Sequence, residues 1–445
     1  MTDLASPPET TSTPGSDLVL VLDPSHGLSV TARRDLDNAP VPEWRALAAR
    51  AGQPPFTGPD WLRAVHTHLG AGEPLLVSVR RDGRLLALGA FALLGGGPRP
   101  LLTFLGAGGS DYAGVLADPD ADVPAARLVA AVLDGALREV PGAVLDLEQV
   151  PAAGEQVELV TRWAHHRRYA VRTLPQATVR AVPLPATVEE HDAGLGRHAR
   201  HEERRQWRRL AELGELVVAD DLLAGLAELR RHDPEAAADR LEELVTELAE
   251  VDDAHPHADR RRRPWRGASG RTLTEVLWTS PPGTVQLSGL RVDGELVAYA
   301  FCLAGPRALH GYVQSYRARY AGTGPGTLLL LRLRRRAIVS GYRELDLLRG
   351  DEAYKKRLEP VARHTVRLVL TPAGQDLLPA LVDRLSLFRR TYRDEIRRHE
   401  RLDRSFESVS GAVERLRDGL TRRRAAATPP RPPAPRRPRF GRRRG

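Results

Sequence analysis

Residues 319–327 read Arg-Tyr-Ala-Gly-Thr-Gly-Pro-Gly-Thr, between an apolar run at 309–316 and a helical pattern from 326 to 340. Glycines let a backbone close on a diphosphate, and a helix N-terminus offers it free N–H groups and a favourable dipole. The candidate contacts are Arg319, Gly322, Thr323, Gly324, Gly326 and Thr327, with the Arg319 guanidinium adding a charge-assisted bond. The plainer alternative is a turn rich in Gly and Pro; the position between strand and helix weighs for anion binding. A second set follows a strand-like Leu345-Asp346-Leu347: Asp346, Glu352, Tyr354 and Lys355. A carboxylate at a strand end can accept a proton, a phenol can donate one, and an ammonium can hold an anion. The alternative is that Asp346 caps its strand and that Lys355 and Lys356, the only two lysines of the sequence, are solvated.

Other reactive residues read as structural. Cys302, the single cysteine, lies in an apolar strand at 299–303, so core packing is favoured over nucleophilic work, and no disulfide can form within the chain. His255 and His257, with Asp252, Asp253 and Asp259, match no established metal-ligand spacing, so no metal is expected. His165, His166 and Tyr169 receive the same reading.

Positioning these groups requires strands and helices, and the chain spells them out twice. Asp82-Gly83 and Asp293-Gly294 each separate two β-rich runs, the strongest short hairpin signal. Each hairpin leads to another strand, a helix (124–138, 326–340) and a strand centred on Leu-Asp-Leu (144–147, 345–348), with a further strand at 364–370. The expected class is therefore mixed α/β, duplicated over about 200 residues, too long a period for a solenoid. The expected divisions are a disordered leader (1–17), an N-terminal domain (18–185), a C-terminal domain holding the anion loop (186–375), an amphipathic helical extension (376–420) and a disordered basic tail (421–445). Between the copies, residues 194–214 form a charged helix with a basic stripe at Arg197, Arg200, His201, Arg204 and Arg208, read as a solvated face with Glu202 and Glu203 as partners.

Of 445 residues, 66 are Lys or Arg and 57 Asp or Glu, for a net +9. Ten arginines without an acid lie between 421 and 445, so the rest of the chain stands at −1. The basicity belongs to the tail, which is suited to an acidic partner, nucleic acid or anionic lipid, and it is poor evidence for a nucleic-acid-binding fold. The start lacks the pattern of a signal peptide, and no apolar run approaches the roughly 20 residues of a membrane helix, so a cytoplasmic protein is expected.

Five segments in this order carry a resemblance. They are Phe56-Thr57-Gly58-Pro59-Asp60-Trp61-Leu62, Asp111-Tyr112 after Phe104-Leu105-Gly106, the Arg-rich helix at 195–213, Trp265-Arg266-Gly267-Ala268-Ser269-Gly270, and Leu345-Asp346 through Gly350, Glu352, Tyr354 and Lys355. Over roughly residues 40–375 the chain resembles the CelD/BcsL-like tandem-GNAT acyltransferases, relatives of the Fem-type transferases. The polar, Arg-rich stretch 252–263 departs from the pattern. The resemblance implies two tandem GNAT folds and an N-acyltransferase using acetyl-CoA or another acyl-CoA. It implies a small-molecule amine acceptor, such as an amino sugar or a cell-surface polysaccharide precursor. It places the diphosphate on 319–327 and Asp346 beside the cleft where the sheet splays, taking the amine's proton. Tyr354 would protonate the leaving thiolate, and Lys355 would bind phosphate or an anionic acceptor. The first copy has glycines at 106–109 but no loop running into a helix, so only the second copy is expected to bind acyl-CoA. Two alternatives stand: a Fem-like transferase using aminoacyl-tRNA, and a catalytically silent interaction module with the tail as its handle.

Overall fold

Both Asp-Gly pairs form the tight turns that their composition demands. Asp82 and Gly83 have φ of 50° and 79°, Asp293 and Gly294 of 49° and 79°; positive φ at both central residues fits the twist of an antiparallel hairpin. The computed structural model describes residues 18–23, 27–70, 72–95, 100–258, 263–350, 355, 358 and 360–374. The leader, the helical extension and the basic tail expected from the sequence lie outside them. The chain divides into two units after Gln375, and every helix and strand described belongs to the first.

The first half opens with β1 (Leu18–Asp23), β2 (Leu28–Arg33), α1 (Val41–Arg50) and α2 (Pro59–Leu69). The hairpin β3 (Glu73–Arg81) and β4 (Arg84–Leu94) comes next, then β5 (Leu101–Phe104), the short β6 (Leu116–Ala117), α3 (Ala125–Glu139), β7 (Val144–Pro151), α4 (Glu155–His166) and β8 (Tyr169–Pro183). The second half begins with α5 (Val188–Gly194), α6 (Arg197–Ala211), β9 (Leu216–Ala219), α7 (Leu226–His232), α8 (Pro234–Asp253) and α9 (Gly267–Thr279). It repeats the order with the hairpin β10 (Val285–Val292) and β11 (Glu295–Ala304), then β12 (Ala308–Tyr316), α10 (Pro325–Val339), β13 (Glu344–Arg349) and β14 (Val361–Pro372). In both halves strand, helix and strand form a parallel connection, β5–α3–β7 and β12–α10–β13.

One mixed sheet runs through both halves in the order β1-β2-β3-β4-β5-β7-β14-β8-β13-β12-β11-β10-β9, with β6 on β4. The halves exchange their last strands. β14 lies against β7 of the first half, and β8 lies against β13 of the second. The cores are shared accordingly: Leu368 and Leu370 of β14 belong to the first half's core under α3, while Val182 at the end of β8 belongs to the second half's core under α10. A second link between halves is α2 packed on α9.

The α6 helix meets the basic-stripe expectation only in part. Glu202 pairs with Arg205 one turn away. Glu203 instead turns inward and holds Arg335 of α10 at 2.5 and 2.9 Å, and Arg335 also reaches Asp192 of α5 at 2.9 Å. A buried carboxylate is retained only with such a partner, so this trio pins α5, α6 and α10 together. No helix among the described residues is long and apolar enough to cross a membrane.

Candidate active site

The ladder between β12 and β13 holds for three pairs, Ala308–Glu344, Leu309–Leu345 and His310–Asp346, and then stops. Beyond it β12 stays on β11 while β13 stays on β8. The two strands thus part at His310 and Asp346, opening a wedge in the sheet. A bulge helps to turn β13 away: Leu348 has φ 59°, and the register against β8 slips between Asp346 and Arg349. The Asp346 side chain stabilises that bulge, since Oδ1 accepts the Leu348 N–H at 2.8 Å.

Asp346 is 3% exposed. Its Oδ2 accepts the Tyr112 hydroxyl at 2.6 Å, a bond spanning 234 residues of sequence from the first half to the second. Burial pushes the Asp346 carboxyl up; His310, the Tyr112 hydroxyl and the Leu348 N–H pull it partly back. Tyr112 is buried beside that carboxylate, and both effects push its phenol up, so it keeps its proton and serves as donor. Burial lowers His310 against the opposing influence of Asp346, and its Nδ1 faces the Leu303 carbonyl at 3.3 Å.

An aromatic cluster walls this point. Phe56 lies 5.1 Å from Trp61, 6.0 Å from His310 and 6.0 Å from Tyr312, ring centre to ring centre, and Trp61 meets Tyr312 edge-on at 4.9 Å. Trp61 Nε1 donates to Ser110 Oγ at 3.0 Å, fixing the segment that carries Tyr112. The next residue back, Asp111, accepts from Arg349 Nε. The motifs at 56–62 and 111–112 therefore belong to the first half in sequence and to the second half's wedge in space. Sequence reasoning marks them as family-like segments and does not place Tyr112, Asp111 or His310 in the site.

The loop sits at the far end of β12. Residues 318–323 form a 3-10 turn that ends in Gly324 (φ 66°, ψ 42°), and Pro325 starts α10. The left-handed value calls for glycine. Thr327 and Leu328 N–H both turn back to Gly324 O at 3.0 and 3.1 Å, and Gln314 Nε2 donates to Gly326 O, tying strand to helix start. Thr323 Oγ1 donates to Tyr320 O at 2.8 Å. Gly322 faces open space. Arg319 lies over the Tyr320 ring at 5.0 Å and pairs with Glu295, which also accepts from Tyr320 OH at 3.0 Å. Six residue steps along the strand separate His310 from Tyr316, about 20 Å at roughly 3.3 Å per step. The structure thus brings Arg319, Gly322, Thr323, Gly324, Gly326 and Thr327 to one helix start and sets Asp346 at the wedge's apex. Lys355, 2% exposed, donates to Arg349 O at 2.6 Å and lies beside the end of β13. Glu352 and Tyr354 lie outside the described residues.

The first half has a wedge too, with a different filling. β5 and β7 pair at Leu101–Val144, Leu102–Leu145 and Thr103–Asp146. Asp146 occupies the place of Asp346, but Arg367 of β14 grips it with two bonds, at 2.6 and 2.7 Å. On the second half's side, the swapped strand β8 presents the apolar Val179 beside the bulge of β13. Cys302 is 1% exposed, and burial pushes its thiol up to about 12. Among the described residues no group of three His, Cys, Asp or Glu side chains is placed to hold a metal ion.

No curated protein matches the chain in sequence. Among solved structures, the C-terminal domain of a protein from Agrobacterium fabrum named as a lysylphosphatidylglycerol synthetase is similar at 15% identity and TM-score 0.46, over 78% of this chain and 95% of that one. FemX is similar at 10% identity and TM-score 0.46, over 77% and 98%. A tandem GNAT protein from the clavulanic acid biosynthesis pathway is similar at 15% identity and TM-score 0.39, over 78% and 99%. In sequence, residues 197–356 match the model of the acetyltransferase (GNAT) domain family, a span that contains α6, the loop, α10, β13 and Lys355.

Proposed function

We propose that this protein is an N-acyltransferase that moves an acyl group from acyl-CoA to an amine, with the donor in the wedge of the second half. The observation that carries the reading is the parting of β12 from β13 after three ladder pairs, with a glycine-bearing helix start at one end and a buried carboxyl at the other. The family match over 197–356 covers both features.

The donor's diphosphate lies on the loop 319–327 and the start of α10, where backbone N–H groups and the helix dipole favour it. Its pantetheine arm runs along the freed edge of β12 and brings the thioester to Asp346. The amine attacks the thioester carbonyl directly, and backbone N–H groups of the freed edge hold the oxyanion. Asp346 takes the amine's proton, a task helped by a carboxyl already raised by burial. The C–N bond forms, the C–S bond breaks, and the departing thiolate takes a proton from Tyr354. Tyr112 positions Asp346, and Lys355 holds the end of β13. The acceptor enters between the halves, which requires the segment around Tyr112 to move; Gly106 and Gly108, both at positive φ, sit in it. An amino sugar or polysaccharide precursor is the acceptor class the resemblance supplies.

Calorimetric titration with acetyl-CoA tests the reading, with Gly322→Glu as the variant. That site is open, so the fold tolerates the side chain, and the new charge repels diphosphate. Saturable binding that weakens about tenfold in the variant, roughly 1.4 kcal/mol, is expected. No binding by the folded wild type at millimolar acetyl-CoA would overturn the reading in favour of an aminoacyl-tRNA donor or a silent fold.

A further inference from the structure

The donor site in the second half's wedge uses backbone groups and leaves the cations of α6 without a role. Their placement is specific. Gln206 lies directly over the loop: a Cβ on Gly324 would stand 2.9 Å from its carboxamide. The helix cannot drift from this position, because Glu203 is held by Arg335, and Leu210 is fully buried in the second half's core. At about 100° per residue, Arg205 and Arg209 lie about 100° and 60° round from Gln206, both on its solvent side, while Arg197, His201, Arg204 and Arg208 lie about 140–180° round from it. Arg209 is exposed, stands one turn beyond Gln206, and meets no carboxylate within ion-pair distance among the described residues. Arg205 is held by Glu202 at 2.7 and 2.8 Å. So the side of α6 next to Gln206 offers one engaged and one disengaged guanidinium, on a helix that the Glu203–Arg335 pair fixes against α10.

Guanidinium groups in that arrangement suit a phosphate monoester, a compact dianion that accepts paired N–H bonds. Coenzyme A carries such a group, the 3′-phosphate of its ribose, on the nucleoside side of the diphosphate. We infer that Arg209, assisted by Arg205, binds the 3′-phosphate of the donor and makes the enzyme select phosphorylated CoA over its dephospho form. The inference rests on the acyl-CoA reading above and adds a second anchoring point, separate from the loop's backbone. The stripe at Arg197, His201, Arg204 and Arg208 takes no part in it.

The test compares CoA with dephospho-CoA, which differs only by that phosphate, in calorimetric titrations of the full chain. The wild type is expected to bind CoA roughly tenfold more tightly. Arg209→Ala is expected to remove most of that preference by weakening CoA alone, and its unchanged affinity for dephospho-CoA serves as its own check on folding. Arg204→Ala, on the opposite face, is expected to leave both affinities and their ratio as in the wild type. Equal binding of the two ligands by the wild type, or a preference that survives Arg209→Ala, would overturn the α6 assignment and leave the acyl-CoA reading standing. Binding of neither ligand would remove both.

Discussion

Tyr112→Phe removes one oxygen and isolates one bond, the 2.6 Å hydrogen bond that crosses from the first half to Asp346. The ring remains, so the contacts with Phe56 and His310 survive. A hydrogen bond to a buried charged group contributes about 1.5–3 kcal/mol. At 1.36 kcal/mol per unit, its loss raises the Asp346 pKa by a further one to two units, roughly. The sign follows from burial. Asp346 titrates higher in the folded than in the unfolded chain, so its ionised form is a penalty at high pH. That penalty is relieved as pH falls through the folded pKa towards the unfolded value near 3.9. Tyr112 itself stays protonated throughout, because its phenol is pushed up. The variant's loss of stability is therefore largest at high pH, where the carboxyl is ionised, and shrinks as the pH falls and the carboxyl takes up its proton. Urea unfolding followed by tryptophan fluorescence at several pH values reads this directly. Once an acceptor is known, the acid limb of the kcat/KM profile is expected to move up by the same one to two units, roughly. A destabilisation that stays constant with pH, or grows on acidification, would refute the phenol-to-carboxylate bond.

Other expectations rest on particular contacts. Arg367→Ala strips a carboxylate that is 2% exposed, Asp146, of its bidentate partner, so urea unfolding is expected to show a loss of about 3–5 kcal/mol; Asp146→Ala on top should recover part of it. A chain ended after Pro183 lacks β14, which pairs with both β7 and β8; near-ultraviolet dichroism is expected to show no fixed packing, and a sharp cooperative melt would count against the exchange. Cys302 is expected to ignore a thiol reagent at pH 8 in the native protein, since burial holds its thiol at about 12, and to react fully in urea; native labelling would show the strand to be open.

What was legible in the sequence was local. The two Asp-Gly turns, the Leu-Asp-Leu strands and the glycine-rich start of α10 each carry their instruction within a few residues, and the mixed α/β order repeats as they suggest. The Glu202–Arg205 pair on α6 is likewise a three-residue spacing. The rest depended on partners far away in the chain. β8, fifteen residues long, contains Pro175 and much exposed surface, so it lacks the alternation that betrays a strand; a bulge in β8 itself, at Gln176, accommodates the proline against β14. Nothing near Glu203 announces Arg335, 132 residues on. Asp111-Tyr112 stands out as a motif, but only the exchange of strands and the packing of α2 on α9 bring it to Asp346. The contrast between Asp346 and Asp146, alike in sequence, is set by the strand beside each: Arg367 in one half and Val179 in the other.

The most direct test of the central claim is amide hydrogen exchange with and without saturating acetyl-CoA. Slower exchange is expected along 311–316 and 319–328, the freed edge of β12 and the diphosphate loop, with no change across 101–104 and 125–130, the strand and helix start at the corresponding place in the first half. Protection in 101–104 and 125–130, or none in 311–316 and 319–328 at saturation, would contradict a donor site in the second half's wedge.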